Sequence, residues 1–242
     1  MIKLQRGVRP TYLSDQKVQE LTDIFKANKG EVVWKHKEIH NALLISSFNK
    51  CAFCETKLQI SSSYMEIEHF KSKDLFPEDV IDWNNLLPSC KRCNTTKSKH
   101  NVVLKPIINP FDIDPKDHLT QQGCRIYFKT DMGESTQEAL NLNDEKLTRP
   151  RFEVWDYVVT SLEEMYKDLI QKTKLTKHDR NKLCRLLTSC QADRAFSAFA
   201  STALHQTPEY SLVINALRSA GQWDDQLEDL HQNSLRLVLD KR

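Results

Sequence analysis

The feature that most constrains this chain is a pair of Cys-x-x-Cys motifs, Cys51/Cys54 and Cys90/Cys93. Two cysteines separated by two residues sit on a tight turn that directs both thiolates at one metal ion, and two such turns complete a tetrahedral zinc site. The spacing therefore predicts a structural Zn²⁺ bound by all four, with unrelated buried cysteines as the alternative. A redox role for a single pair is disfavoured, because no βαβ pattern surrounds either motif.

The cellular compartment decides whether cysteines should be considered for metals or for disulfides first. The seven cysteines are an odd number, and the N-terminal residues contain no apolar segment of a signal peptide. No apolar run approaches the roughly 20 residues that cross a bilayer. We therefore expect a cytoplasmic protein without membrane contact and with reduced thiols. The other three cysteines, Cys124, Cys184 and Cys190, have no partner at ligand spacing and are expected in the core.

Hydrophobic periodicity predicts helices on both sides of the cysteine region. Before it, Ser14 is a predicted N-cap of a helix that ends near Asn28, and a second helix is predicted over 33–48. After Pro150 the pattern is helical to the end of the sequence. The predicted helices there are one on the 155–170 stripe, one from Thr176 that carries Phe196 and Phe199, one from Thr207-Pro208-Glu209, and one over 223–239.

The middle of the chain is irregular, with a strand predicted from Tyr64 to Phe70 and another from Cys124 to Lys129. Three prolines between Lys105 and Pro115 exclude a regular element there and indicate a connector. Only five glycines also argue against a Gly-rich β-sandwich. We predict an α+β protein, mostly α, with N-terminal helices over 1–48, a zinc-bound core over 49–105, a connector with a short strand over 106–150, and a helical lobe over 151–242 that binds a partner.

The residues suited to chemistry cluster around the two cysteine pairs. Glu66-Ile67-Glu68-His69-Phe70 lies between them, and Asn94 and Lys97 follow the second pair directly. If one zinc ion joins both pairs, the acid-histidine dipeptide and the segment after Cys93 are brought together. Two features that are distant in sequence thereby become one candidate site.

The order of these elements resembles the HNH (ββα-metal) nuclease family in its cysteine-bearing form. The shared pattern is Cys-x-x-Cys, acid-His, Asn-Leu and Cys-x-x-Cys-Asn-x-x-Lys, which here covers residues 51–97. Further matches resemble the HNH proteins of retron and Septu anti-phage systems. They are the opening Met-Ile-Lys-Leu, Trp34 ahead of Cys51-Ala-Phe-Cys-Glu55, the stretch Ile-Asn-Pro-Phe-Asp-Ile-Asp-Pro over 108–115, and Leu-Asn-Leu-Asn over 140–143.

The resemblance implies a small zinc-stabilised ββα-metal core that hydrolyses phosphodiester bonds. His69 is then the general base, since a neutral imidazole can take a proton from water near pH 7. By the same resemblance Glu68 and Asn94 hold a catalytic Mg²⁺ or Mn²⁺, and Asn85 braces the loop that carries His69. Two protein ligands leave positions for water and substrate oxygens, as Mg²⁺ prefers. Zinc with four thiolates has no open position and serves as a frame.

The segment after the second cysteine pair is expected to contact substrate phosphates. Between Cys90 and Lys105 there are basic side chains and no acidic one. We expect phosphate contacts from Lys97, which shares a helix face with Asn94, and from Lys91, Arg92 and His100. The alternatives are a solvated basic face, a helix-capping role for Asn94, and a place for His100 as the final residue of the motif.

The sequence thus predicts a metal-dependent endonuclease, the effector of a defence complex. Glu66, on the same strand face as Glu68, is an alternative metal ligand or a supporting residue. The resemblance also implies an ATPase partner of the PtuA type and, in a retron, a reverse transcriptase with its RNA and DNA. The net charge of +2 indicates weak affinity for free nucleic acid. The substrate, DNA or RNA including tRNA, is left open. The alternative function is a zinc-knuckle nucleic-acid-binding or scaffold protein whose nuclease site is vestigial.

Overall fold

α-Helices make up most of the regular structure in the computed structural model, which describes residues 1–59, 64–172 and 174–242. The predicted class, α+β and mostly α, is confirmed. The helices are α1 (Asp15–Ala27), α2 (Lys37–Ser46), α3 (Lys91–Lys97), α4 (Asp131–Ala139), α5 (Glu145–Ile170), α6 (Lys177–Ser189), α7 (Ser197–Gln206), α8 (Pro208–Ser219) and α9 (Asp225–Leu235). The strands are β1 (Met65–His69), β2 (Leu86–Cys90), β3 (Leu119–Gln122), β4 (Arg125–Phe128) and β5 (Asp240–Lys241).

The N-terminal helices start at polar caps. The side chain of Ser14 accepts a hydrogen bond from the amide of Lys17 and so begins α1, as predicted. Helix α2 begins at Lys37, not at Val33, because His36 is its N-cap and accepts from the amide of Glu38. The preceding Val33 and Trp34 instead pack against the first hydrophobic core. This extended segment forms one wall of the candidate site described below.

A β-hairpin followed directly by a helix forms the centre of the molecule. Strands β1 and β2 are antiparallel, with Glu68 opposite Leu87 and His69 opposite Leu86. Helix α3 starts at the end of β2, where the thiol of Cys90 accepts from the amide of Cys93. Pro88 within β2 lacks an amide donor, but its carbonyl accepts from Ala52 and so ties the first cysteine pair to the strand. This ββα arrangement places α3 alongside β1, so that Lys97 at the end of the helix reaches Glu68 and His69 at the end of the strand.

Residues 106–150 contain more regular structure than the predicted connector with one strand. Strand β4 confirms the predicted strand, but β3 and α4 were not predicted. Helix α4 has few apolar residues and contains Gly133, which explains why periodicity missed it. A Cβ at Gly133 would lie 2.2 Å from the carbonyl oxygen of His118, so glycine is required for this close approach. The connector is therefore ordered, and its buried residues, such as Leu119, Ile126 and Leu140, belong to the same hydrophobic core as the cysteine region.

Two predicted helix boundaries in the C-terminal part were wrong. Helix α5 begins at Glu145 and contains Pro150, because Asp144 caps it and a proline near the N-terminus removes a single amide donor. The capping box of Thr176 and Asp179 is confirmed. The predicted helix from Thr176 to Phe199 is two helices, α6 and α7. Phe196 adopts a left-handed conformation (φ 51°) that separates them.

The buried apolar side chains form two clusters. The first contains residues from the N-terminus, the cysteine region and the segment up to Leu147, together with Phe196, Ala198, Phe199 and Leu239. The second lies within α5 to α9. Val154 of α5 packs against both clusters, so this helix connects them. The four domain boundaries predicted from the sequence stay a prediction. None of the helices in the described part of the chain is long and apolar enough to cross a membrane.

Candidate active site and metal centre

The four predicted zinc ligands form one buried cluster. The sulfur atoms of Cys51, Cys54, Cys90 and Cys93 all lie within 4.8 Å of one another, and those of Cys54 and Cys90 are 3.7 Å apart. A tetrahedral zinc ion with Zn–S bonds of about 2.3 Å separates its sulfur ligands by about 3.8 Å. The sulfur cluster predicted from the spacing is confirmed, and its geometry suits Zn²⁺ with a closed coordination shell.

The surroundings of the sulfur atoms suit a negatively charged centre. Zn²⁺ with four thiolates carries a charge of −2, and such ions need positive neighbours when buried. Arg92 donates from Nη1 to the sulfur of Cys93 at 3.8 Å. Arg151 is fully buried, and its Nε and Nη2 have no hydrogen-bond partner among the described residues. Burial lowers the pKa of Arg151 to about 10, and the neighbouring charges of Cys54 and Glu55 oppose that decrease. Sequence reasoning did not identify Arg151.

A cavity of about 730 Å³ lies beside the end of strand β1. His69 and Glu66 of β1 and Asn94 of α3 line one side of it. The opposite side is the extended segment and first turn of α2, including Trp34, Lys35 and Lys37. Three of the sequence-predicted residue types, an imidazole, a carboxylate and a carboxamide, thus face a common space.

His69 is held in a defined orientation. Its Nε2 donates to the carbonyl of Val80 at 2.9 Å, and its ring meets the ring of Trp34 edge to face, with centroids 4.7 Å apart. Since a carbonyl only accepts, the hydrogen of the neutral imidazole is on Nε2 and Nδ1 is left as an acceptor. Burial lowers the pKa of His69 to about 4, with a further decrease from the charge of Lys73. The imidazole is therefore neutral at pH 7 and able to accept a proton.

Asn85 fixes the loop that presents Val80 to His69. Its Oδ1 accepts from the amide of Lys71 at 2.6 Å, and its Nδ2 donates to the carbonyls of Lys71 and Asp79, both at 3.0 Å. The backbone carbonyl of Asn85 also accepts from the amide of Phe70. One buried side chain thus ties the start of the loop to its end. This placement is compatible with the bracing role that the family resemblance implies.

Glu68 is paired with Lys97 inside the protein. The Lys97 ammonium lies 2.6 Å from Oε1 of Glu68 and 2.9 Å from the carbonyl oxygen of His69. Burial raises the pKa of Glu68 to about 7, and the ammonium of Lys97 opposes that increase. Lys97 is only 2% exposed. The expected phosphate contact by Lys97 therefore needs correction: this side chain points from α3 into the interior at Glu68, because the buried carboxylate requires a cation.

Glu66 and Asn94 form a second pair, at the surface of the cavity. Nδ2 of Asn94 donates to Oε2 of Glu66 at 2.6 Å. That bond fixes which end of the carboxamide is which, so Oδ1 of Asn94 is left to act as a ligand or acceptor. Glu68 and Asn94, the two expected Mg²⁺ ligands, thus each contact another side chain. Asn94 keeps its Oδ1 available. The direct contact between Glu66 and Asn94 could not be predicted from the sequence.

Most of the basic segment after Cys90 is engaged elsewhere. Arg92 donates to the carbonyl of Leu140, and Nε2 of His100 contacts the carbonyl of Lys105 at 2.7 Å. Lys99 and Lys105 form ion pairs of 2.7 Å with Asp74 and Glu138. These bonds engage some of the donors of Arg92 and His100, and the expected phosphate contacts of both residues stay a prediction. Lys91 is exposed and is the member of the expected set that stays available.

The cations that face the cavity were missed by sequence reasoning. Lys35, Lys37 and Lys73 line it, together with His36 and His40. The run Lys35-His36-Lys37 is visible in the sequence and could have been noticed as a short basic motif. Because this run lies far from the cysteine pairs in the sequence, its place at the site could not be predicted.

Comparisons with known proteins agree with this geometry. Residues 51–100 match the HNH endonuclease family. Over nearly its whole length the chain is similar to the Septu protein PtuB of Bacillus thuringiensis, with 32% identity over 247 residues, which covers 99% of this chain and 95% of that protein. The Septu protein PtuB of Bacillus mycoides (strain KBAB4) is 29% identical over 199 residues, covering 64% of this chain and 67% of that protein. The HNH match coincides with the segment that carries the cysteine cluster, His69 and Asn94.

Proposed function

This chain belongs to the PtuB family of Septu proteins and contains an HNH nuclease domain, and from that premise we propose that it is a metal-dependent endonuclease of anti-phage defence. Its reaction would be the hydrolysis of phosphodiester bonds in a nucleic acid. The observation that carries the proposal is the orientation of His69: its Nε2 is committed to Val80, and its ring lines a cavity shared with Asn94. An imidazole held in this way can still accept a proton at Nδ1.

The residues around the cavity divide the reaction among them. His69 takes the proton of the attacking water at Nδ1, while Val80 and Trp34 keep its ring from turning. Asn94 offers Oδ1 to a catalytic Mg²⁺ or Mn²⁺, together with a carboxylate of β1, which is Glu68 by family resemblance. When bound, such an ion stabilises negative charge on the phosphate and the leaving oxygen. Lys97 contacts Oε1 of Glu68, so Glu68 can act as a metal ligand only if the ammonium and the ion share the carboxylate. Oε2 of Glu68 has no hydrogen-bond partner in the described structure.

Zinc has a separate role in this proposal. The four sulfurs would fill its coordination shell, so no position is left for a reacting water. The ion joins the first cysteine pair to β2 and α3 and so sets the distance between His69 on β1 and Asn94 on α3. Removal of zinc is therefore expected to disorganise the site, and omission of Mg²⁺ to leave the fold intact.

The remaining components are proposed from the family. A PtuA-type ATPase partner would deliver or activate the nuclease, in the cytoplasm, and in a retron context a reverse transcriptase with its RNA and DNA would join the complex. The helical lobe, 151–242, is the part of the chain that we propose for partner contacts. DNA and RNA, including tRNA, are both retained as substrates, because the proposed chemistry acts on the phosphate.

The test is cleavage of DNA and of total RNA by the purified protein with Mg²⁺, alone and with its operon neighbours. His69→Ala should lower the cleavage rate by about 10²–10⁴-fold, the usual contribution of a general base. His178→Ala, an exposed histidine on α6, is the matched control and should cleave normally. Equal cleavage by wild type and His69→Ala would refute the mechanism. Binding of nucleic acid without cleavage under all these conditions would support the alternative, a zinc-knuckle binding or scaffold protein.

A further inference from the structure

We propose that a single-stranded segment of nucleic acid runs through two connected cavities that meet at Tyr64, with lysines outside the HNH motif contacting its phosphates. This inference rests on the proposed nuclease function and adds the substrate's path and strandedness. One cavity is the space beside His69. The other, about 450 Å³, is lined by Tyr64, Glu66, Lys91 and Lys146, among others. Tyr64 and Glu66 line both, so the two spaces form one track across the candidate catalytic residues.

The charge of the first cavity favours a polyanion. Lys35, Lys37 and Lys73 face it, and the carboxylate among its lining residues is Glu66, which already accepts from Asn94. In the described structure, none of the three lysines forms an ion pair, whereas Lys97 and Lys99 do. The ammonium of Lys73 lies 5.2 Å from the ring centre of Trp34, which itself contacts His69. Phosphates bound here would therefore lie next to the imidazole.

The second cavity continues the same charge on the other side of Glu66. Lys91 and Lys146 are exposed, and neither forms an ion pair with a described residue. Lys91 comes from the start of α3, and Lys146 from the first turn of α5. A strand that passes His69 would thus meet unpaired cations both before and after the bond to be cut. Phosphate contacts of this kind position a chain without selecting its sequence.

The exposed aromatic ring between the cavities indicates a single strand. Tyr64 is 73% exposed, whereas tyrosine usually buries much of its ring. A tyrosine ring that stands in a basic groove is suited to stack on an unpaired base, an interaction worth about 1–3 kcal/mol per base. Bases in a duplex are stacked on one another and do not present a free face. The substrate class is therefore unpaired nucleic acid, DNA or RNA, including loops and ends.

The experiment measures binding in the cleavage-silent His69→Ala background, by fluorescence anisotropy with labelled oligonucleotides over a range of salt. The probes are a single-stranded DNA, the same sequence as RNA, and the corresponding duplex. We expect both single strands to bind more tightly than the duplex, and Tyr64→Ala to weaken single-strand binding about tenfold. Tyr64→Phe should retain the affinity, because the ring does the stacking.

The lysines are tested in pairs on each side of the track. Lys35→Ala/Lys37→Ala and Lys91→Ala/Lys146→Ala should each weaken binding and reduce the salt slope by about 0.7 for every phosphate that is no longer neutralised. The matched control, Lys99→Ala/Lys105→Ala, removes the same charge from ion-paired lysines outside the track and should change little. Equal effects of track and control pairs, or tighter binding of the duplex, would overturn the inference. Neither outcome would affect the proposed nuclease function, which fails only if His69→Ala cleaves as well as wild type.

Discussion

At the scale of single residues, the proposed mechanism depends on how firmly one imidazole is held. His69 has a carbonyl on Nε2 and an indole ring at its edge, and the carbonyl belongs to a loop that Asn85 closes. Neither Val80 nor Asn85 needs to touch the substrate for its loss to matter. A general base that can rotate spends less time in hydrogen-bond reach of the water it must deprotonate.

Replacement of Asn85 tests this dependence. Asn85→Ala removes three hydrogen bonds and leaves partly buried backbone groups of Lys71 and Asp79 without these partners. We expect a decrease of about 2–3 kcal/mol in the free energy of unfolding, measured by urea denaturation, and a decrease in cleavage rate. The neighbouring exposed Asn84 provides the control, since Asn84→Ala should change neither quantity appreciably. Normal cleavage by a folded Asn85→Ala protein would contradict the positioning role.

The sequence predicted some of these residues and not others, for a physical reason. Cysteine spacing and the acid-histidine dipeptide are local patterns, so the sulfur cluster and the strand that carries His69 could be predicted from the sequence. The pairings of Glu68 with Lys97 and of Glu66 with Asn94 were not, because both carboxylates lie on the same face of one strand. Trp34 and Lys35 reach the cavity only through tertiary packing of α2. No local rule assigns such partners.

At the scale of elements, the contact of α3 with β1 contains a buried ion pair. Lys97 and Glu68 face each other across this contact, with side-chain exposures of 0% and 3%. A buried pair of this kind contributes little over well-packed apolar residues, but removal of one partner leaves a buried charge alone. The pair therefore fixes the position of α3 against β1 even if its net contribution to the free energy of unfolding is small.

Single and double replacements separate structural from catalytic contributions of this pair. Lys97→Met should destabilise the protein by about 1–3 kcal/mol, because the carbonyl of His69 loses its donor and Glu68, whose pKa Lys97 lowers, must become protonated. Glu68→Leu/Lys97→Met should recover much of that stability in urea denaturation while remaining inactive. If Lys97 instead serves mainly to bind phosphate, Lys97→Met will be as stable as wild type and impaired in substrate affinity alone.

The elements that sequence reasoning missed share a cause. Helix α4 lacks an apolar stripe, and α7 is almost entirely buried, so neither shows the one-sided pattern on which periodicity depends. The capping signals of α1, α6 and α8 were predicted correctly, since a cap is a property of a few adjacent residues. The break between α6 and α7 depends on the left-handed Phe196, a conformation imposed by packing.

At the scale of the whole molecule, the two hydrophobic cores meet at α5 and at α7, where Phe199 belongs to the first core and Ala203 to the second. The lobe contains a polar cluster of its own. Nε2 of His205 contacts Ser234 at 2.8 Å, and Nδ1 of His231 contacts the hydroxyl of Tyr210 at 2.8 Å. The imidazole rings of the two histidines are 5.1 Å apart. Protonation of both would place two positive charges side by side in a partly buried region.

The lobe should therefore become less stable in mild acid. Burial lowers the pKa of His205 to about 4, with a contribution from His231, whose own pKa burial also lowers. Because the folded value lies below the unfolded one of about 6.5, the stabilisation is complete above pH 6.5 and declines as the pH falls towards 4. We expect a decrease of about 1–2 kcal/mol from His205 after allowance for solvent screening. Thermal unfolding followed by circular dichroism between pH 7.5 and 4.5 measures it.

The control for the acid effect is His205→Gln, which retains a donor for Ser234 and does not titrate. Its unfolding temperature should depend less on pH between 6.5 and 4 than that of the wild type. Parallel curves for the two proteins would show that other groups cause the acid sensitivity.

Crystallography with Mn²⁺ can show whether the cavity beside His69 is a metal-dependent hydrolytic site. Crystals of the zinc-loaded His69→Ala protein with a bound oligonucleotide should show anomalous density for Mn²⁺ in the cavity, within about 2.2 Å of Oδ1 of Asn94 and of a carboxylate oxygen of β1. A phosphate oxygen should complete the coordination, and zinc should lie among the four sulfurs. The proposed site would be refuted if the crystals contain the zinc centre and the oligonucleotide but Mn²⁺ is absent from the cavity or binds elsewhere.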